Sequence, residues 1–166
     1  MIFQKIQSET DIELLAATAN EIWHEYFPCI LSNEQIDYMV EKLQSKQPMT
    51  GQIADGYLYY LVQLNDNIIG YIGLHPEKEK LFLSKLYLKQ EARNHGYASQ
   101  MLQFIEQIAR ELGLSSIYLT VNKNNEHSIA VYKKKGFLTV KDQVADIGNG
   151  FVMDDYIMEK IIAKTS

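Results

Sequence analysis

Apolar positions in this chain change their period partway along it. Ile12, Leu15, Ala16, Ala19, Ile22 and Trp23 recur at spacings of three and four, the mark of a helix with one buried stripe. Ser8, Thr10 and Asp11 stand ahead of that stripe as helix N-caps, and Met1 to Ile6 alternates as a short strand. His24 to Leu31 is aromatic-rich and broken by Pro28. Ser32 or Asn33 then caps a second helix carrying Ile36, Met39, Val40 and Leu43. Pro48, Gly51 and Gly56 punctuate its exit around one further short helical turn.

From Tyr57 the pattern is that of strands. Tyr57 to Leu64 and Ile68 to Leu74 flank Asn65-Asp66-Asn67, a hairpin turn, and Leu81 to Leu88 follows a charged connection. A polar turn with Gly96 leads into a helix whose face is Ala98, Met101, Leu102, Ile105, Ile108, Ala109 and Leu112, stopped by Gly113. Ile117 to Val121 reads as a strand buried on both faces, and Ser128 to Lys135 as a short helix closed by Gly136. Phe137 to Asp146 and Phe151 to Ile162 are the last strands. The strand–helix–strand unit in the middle implies local parallel pairing with a right-handed crossover, and the hairpins imply antiparallel pairing around it. One domain over residues 1–166 is expected, with a mixed α/β sheet covered by helices.

Composition narrows the function. With 166 residues, 46% hydrophobic and 22% charged, the chain can bury a core without a metal or disulfide. A net charge of −5 argues against nucleic acid as the partner and tolerates a cationic one. Cys29 is the single cysteine, which excludes an internal disulfide; its apolar neighbours make it a packing residue. The opening segment lacks a signal-peptide pattern and no apolar run is long enough for a membrane span, so a cytoplasmic protein without a membrane partner is expected. His24-Glu25 begins a zinc motif that fails at Pro28, and the four histidines are scattered, so no metal site is expected.

Two blocks carry chemistry. Arg93, Gly96 and Ala98 form R-x-x-G-x-A between a strand and a helix, where consecutive backbone N–H groups and the helix dipole suit a phosphate or pyrophosphate. Further on, Asn125-Glu126-His127-Ser128-Ile129-Ala130-Val131-Tyr132 continues through three lysines to Gly136-Phe137. Together with Tyr118-Leu119-Thr120-Val121-Asn122 before it, this block resembles the late N-x-x-A-x-x-x-Y-x-x-x-G-F pattern of the GNAT superfamily of N-acetyltransferases, with Ser128 where alanine is commoner.

That resemblance implies a GNAT-like fold: a mixed, mostly antiparallel central sheet of about seven strands, helices on both faces, and a splay between the fourth and fifth strands. It implies acetyl-CoA as co-substrate, with the pyrophosphate on the loop Arg93, Asn94, His95, Gly96, Tyr97, Ala98 and Ser99. The pantetheine arm would lie along Leu86, Tyr87 and Leu88, and the thioester where the strands part near Leu86 and Leu119. Asn125 either meets the pantetheine or caps its helix. Tyr132 stands where family members donate a proton to the departing sulfur, and a phenol with pKa about 10 is protonated at neutral pH.

The strand glutamate that serves some members as base is absent, with Ser84 and Lys85 in its region. Glu25, His24, His75, Asp154 and Asp155 remain as candidates. The tail Gly148 to Tyr156 is similar to that of a bacterial subgroup including polyamine acetyltransferases, so its acids either bind a cationic amine or form a solvated hairpin. The expected activity is acetyl transfer to a primary amine of a small, polyamine-like molecule or a peptide, by direct attack in a ternary complex. The rival is a non-catalytic acyl-CoA-binding regulatory protein. Homodimers are common in the family and remain open here.

Overall fold

The computed structural model describes residues 1–162; residues 163–166 of the expected domain lie outside the described residues. The elements are β1 (Ile2–Lys5), α1 (Glu9–Tyr26), α2 (Asn33–Leu43), α3 (Lys46–Ala54), β2 (Leu58–Leu64), β3 (Asn67–Pro76), β4 (Lys80–Leu88), α4 (Tyr97–Glu111), β5 (Ser116–Asn122), α5 (Glu126–Lys134), β6 (Leu138–Gly148) and β7 (Phe151–Ile161). The strands hydrogen-bond in the order β1-β2-β3-β4-β5-β7-β6, the mixed seven-stranded sheet expected. The chain divides into two compact units, one of Met1–His75 with Lys85–Met101 and one of Pro76–Ser84 with the remainder. Strand β4 contributes to both.

In the first unit, Ser8 starts α1 with a reciprocal capping box: its hydroxyl accepts from the Asp11 amide while the Asp11 carboxylate accepts from the Ser8 amide. Helix α1 does not end before His24 but runs on to Tyr26, because Pro28 lies beyond its last turn and blocks only further extension. Phe27 then turns inward, and its carbonyl accepts from Ile30 and Leu31, which leaves Cys29 exposed and not packed as expected. Ser32 caps α2 by accepting from the Gln35 amide. Where one turn was expected, Lys46–Ala54 forms a full third helix, with Pro48 early enough to cost it no interior bond.

A polar chain threads the core of this unit. The Trp23 indole donates to the Tyr71 hydroxyl at 2.7 Å, and Tyr71 donates to the Gln44 carbonyl at 3.0 Å. Tyr71 and Gln44 are fully buried, so each bond prevents a desolvation cost on both partners. Asn65 and Asp66 take φ of +52° and +67°, the two-residue hairpin geometry that matches strand twist.

In the second unit, β5 pairs antiparallel with β7, and β7 with β6. Strand β5 is less enclosed than expected: Thr120 is exposed, while Ile117, Leu119 and Val121 are buried. The β4–β5 ladder is the parallel pair, and it joins only Lys80–Phe82 to Ser116–Tyr118. It ends one residue short of Leu119.

Two glycines of β3 determine how closely β4 approaches in the first unit. A Cβ on Gly70 would lie 2.2 Å from the Tyr87 carbonyl oxygen, and one on Gly73 would lie 2.8 Å from the Tyr59 ring and 3.1 Å from the Lys85 side chain. Gly70→Ala must push the β4 backbone at Tyr87 and Leu88. We expect it to lower stability by about 1–3 kcal/mol or more, the range for overpacking, read as a fall in the urea midpoint.

Candidate active site

Tyr87 anchors the end of β4. Its ring centroid lies 5.7 Å from Trp23, 6.0 Å from Tyr26, 5.7 Å from Phe27 and 5.6 Å from Tyr71. Aromatic pairs at these separations gain beyond simple burial. The Tyr87 side chain is thereby held within the first unit.

Beyond Leu88 the chain makes a short 3₁₀ turn, Gln90–Ala92, that periodicity did not reveal. The end of α1 clamps it. The Glu25 carboxylate accepts from the Gln90 amide, and the Arg93 guanidinium lies 3.9 Å from Glu25 and 4.7 Å above the Tyr26 ring. Arg93 Nε also donates to the Leu88 carbonyl at 3.1 Å, and Glu21 pairs with Lys89 at 3.2 Å. Arg93 is therefore turned inward, and its own amide bonds the Gln90 carbonyl.

The residues after Arg93 face outward. Asn94 and Gly96 take φ of +65° and +79°, and Asn94, His95 and Gly96 are exposed. Alternating left-handed residues aim successive amides into one concavity. The first turn of α4 adds amides that have no intrahelical acceptor. A Cβ on Gly96 would meet nothing within 4 Å, so the space above this backbone is open. His95 accepts no such role through its ring: Nδ1 lies 2.7 Å from the Arg93 carbonyl and the ring stacks on Tyr97 at 5.5 Å. Beside the loop is a cavity of about 350 Å³ bordered by Asn65, Asn67, Lys89, His95 and Tyr97.

Asn125 and Tyr132 belong to the second unit. The Asn125 carboxamide accepts from the Ser128 amide at 3.3 Å, which caps α5, and the residue is buried. Tyr132 lies on the second turn of α5, half-buried, with its ring edge-on to Phe137 at 5.5 Å. Gly136, at φ +98°, ends the helix and lets Phe137 fold back to bond the Tyr132 carbonyl.

The candidate bases fare differently. Glu25 is engaged by the clamp. His24 pairs with Asp37 at 2.5 Å, which raises its pKa through that hydrogen bond, and His75 stacks on Tyr57 at 4.4 Å. Asp154 pairs with Lys123 at 2.9 Å. Asp155 is 7% exposed, and among the described residues its Oδ1 has no donor. Burial, reinforced by the charge of Asp154 and opposed by Lys123, pushes its carboxyl up to about 6. Lys85 is also perturbed: its stem packs over Gly73, and burial pushes its ammonium down to about 8. Sequence reading saw Lys85 only as a replacement for a missing glutamate, since no local pattern signals which way a strand lysine points. Among the described residues there is no group of three or more His, Cys, Asp or Glu fit to hold a metal, and no helix is long and apolar enough to cross a membrane.

Residues 16–137 match the acetyltransferase (GNAT) family, and the chain belongs to that family of N-acetyltransferases. Among its relatives is the spermidine N(1)-acetyltransferase of Thermoplasma acidophilum, 28% identical over 90% of this chain and 91% of that one. An uncharacterized N-acetyltransferase from Lactobacillus delbrueckii subsp. lactis is 23% identical over 93% and 94% of the two chains. The crystal structure of the PaiA N-acetyltransferase of T. acidophilum, in complex with coenzyme A, superposes with a TM-score of 0.78 at 27% identity, covering 97% of this chain and 99% of that one. Tetrahymena GCN5, at 14% identity, shares the fold with a TM-score of 0.70 over 100% and 99%.

Two outcomes follow from the clamp and from the buried acid. Glu25→Gln should speed hydrogen exchange at the Gln90 amide by about tenfold or more, since a bond to a charged acceptor is worth roughly 1.5–3 kcal/mol, as read by NMR. Asp155 is harder to ionise in the fold than its ordinary value of 3.8, so ionising it removes stability as pH rises through 6. Asp155→Asn should therefore raise the thermal midpoint at pH 8, and that gain should shrink below pH 6 and vanish below 4.

Proposed function

We propose that this protein is an acetyl-CoA-dependent N-acetyltransferase, a single domain that acetylates a primary amine of a small, polyamine-like molecule or a peptide by direct attack in a ternary complex. The observation that carries this reading is the loop before α4, where Asn94 and Gly96 turn left-handed under open space at a helix N-terminus. The amides of Asn94 to Ser99 hold the coenzyme's pyrophosphate, and Arg93, locked to Glu25 and Tyr26, keeps the loop in shape. The backbone of Leu86, Tyr87 and Leu88 pairs with the pantetheine arm as with an added strand. Kinship with a spermidine acetyltransferase and with a coenzyme A complex supports the co-substrate and the acceptor class.

Acetyl-CoA supplies the activated acetyl group. A backbone N–H of the Leu86–Leu88 stretch donates to the carbonyl oxygen on which charge develops, and a donor preset for that position costs no reorganisation. Tyr132, neutral at working pH, donates its phenolic proton to the sulfur as the C–S bond breaks, and the proton released from the amine as the C–N bond forms passes to water, from which the phenol is restored. Asn125 caps the helix that carries Tyr132 and stands by the pantetheine. The one-residue spacing between the end of the β4–β5 ladder and Leu119 supports the thioester's position beside Leu119.

Tyr132→Phe should lower kcat by roughly tenfold to a hundredfold or more, within the span of general acid catalysis, with the circular dichroism spectrum unchanged. Thiol release would be followed against polyamines, amino sugars, aminoglycosides and peptide N-termini. Wild-type turnover in the variant removes Tyr132 from the mechanism. Coenzyme binding without turnover on any amine favours the regulatory reading.

A further inference from the structure

We infer that the last turn of α1 is a proton-operated brace on the coenzyme loop: while both ring nitrogens of His24 carry a proton the turn is tied to α2 and coenzyme A binds tightly, and loss of one proton loosens its binding. The inference rests on the reading of Asn94 to Ser99 as the coenzyme A site.

His24 stands in the final turn of α1. Its Nδ1 lies 2.8 Å from the Asn20 carbonyl oxygen, and its Nε2 lies 2.5 Å from the Asp37 carboxylate of α2. A carbonyl and a carboxylate only accept, so the ring donates from both nitrogens, which a neutral imidazole cannot do. The ring in this arrangement is an imidazolium. The hydrogen bond to Asp37, then the one to Asn20, hold its pKa above the ordinary 6.5 against the opposing cost of burial.

The other charged groups on the elements packed against α1 leave Asp37 as the partner. On α1 itself, Glu21 pairs with Lys89, and Glu25 engages the Gln90 amide and Arg93. On α2, Lys42 donates to the Tyr38 hydroxyl, while Glu34 and Glu41 flank Asp37 at helical spacing. On α3, Lys46 is bound to Glu9 and Glu13, and the 3₁₀ turn carries only Glu91. The lysines are engaged elsewhere, and the remaining charge is negative, which favours the imidazolium.

One proton therefore supports the turn in three ways. It lets the ring hold the Asn20 carbonyl, it pairs α1 with α2, and it places positive charge at a helix C-terminus, where the helix dipole favours it. The turn needs that support, since helix ends leave carbonyls without partners and Pro28 stops the helix from continuing. The next two residues of the same turn are the clamp: Glu25 accepts from the Gln90 amide, and the Tyr26 ring lies 4.7 Å from the Arg93 guanidinium. A chain of contacts thus runs from Asp37 through the end of α1 to Arg93, and Asn94 follows it in the loop. Every member lies in the first unit. The support from His24 is full below pH 6.5 and is lost as pH rises through its higher value in the fold. One nitrogen then turns a lone pair toward an acceptor, and the turn frays more often, releasing the clamp.

The test measures coenzyme A affinity by calorimetry at pH 6 and pH 9 for the wild type, His24→Gln and Asp37→Asn. Glutamine keeps a donor for Asp37 without a titrating charge. The wild type should bind about threefold more tightly than His24→Gln at pH 6, the scale of a half-exposed charge at a helix end, and equally at pH 9. Asp37→Asn, which keeps the ring without its main partner, should fall between them at pH 6. Equal affinity at pH 9 shows that the variants are folded. Titration of the coenzyme's own phosphates is common to all three proteins and cancels in the ratio. By reciprocity, saturating coenzyme A should raise the NMR titration midpoint of the His24 ring by about 0.5, the same threefold factor read from the proton's side. A ratio of wild type to His24→Gln that is the same at both pH values, or a His24 midpoint that coenzyme A does not move, overturns this inference alone. Absence of coenzyme A binding by the wild type at either pH overturns the loop reading and this inference with it.

Discussion

Every backbone N–H and C=O removed from water needs a partner, and β4 is the strand on which that demand has the most consequences. Its parallel ladder to β5 lasts for Lys80–Phe82 and then stops. The rest of the strand, Leu83 to Leu88, runs on as regular β structure. Its position is determined by close packing in the first unit: Gly70 and Gly73 of β3 have no side chain to hold it off, and Tyr87 is lodged among four aromatic rings. A strand held this firmly keeps its main-chain geometry without a second partner strand along its whole length. That is what a backbone-reading ligand site requires.

Helix α1 extends that rigidity into the loop. The face that buries Ile12, Leu15, Ala19, Ile22 and Trp23 is ordinary core. Its last two turns do something different, since Glu21, Glu25 and Tyr26 engage Lys89, the Gln90 amide and Arg93. Surface ion pairs on their own contribute little. Here Arg93 and Glu25 are half-buried, the Glu25 carboxylate serves a backbone amide and a guanidinium at once, and the ring below adds a cation–π contact worth about 0.5–2 kcal/mol. The combined effect is to hold Asn94 and Gly96 in their left-handed conformations.

Two groups are held in forms that cost the fold stability. Lys85 is kept below its ordinary pKa and Asp155 above its own, both mainly by burial. Asp155 Oδ1 has no donor among the described residues, whereas on the surface Lys46 is paired with Glu9 and Glu13.

Most of the architecture was legible in the chain itself. Among the described residues, periodicity located every strand and four of the five α-helices, because burial on one face imposes a period of 3.6 or 2 whatever the final packing. It failed where local pattern and tertiary context part. Lys46–Ala54 has almost no amphipathic signal yet is a helix, and Cys29 sits in an apolar stretch yet is exposed once Phe27 takes the inward position. The glycine loop and the Asn125–Phe137 block pointed to the family because those motifs are local: a backbone turn and a helix cap need only their own few residues. What no local pattern could decide was the partner of each charge. Glu25, Asp154 and Asp155 are equivalent as letters, and only the fold commits the first to a clamp and the second to Lys123, while enclosing the third beside Asn122 with one oxygen unanswered. Burial and pairing depend on residues distant in sequence, and electrostatic character is settled by them.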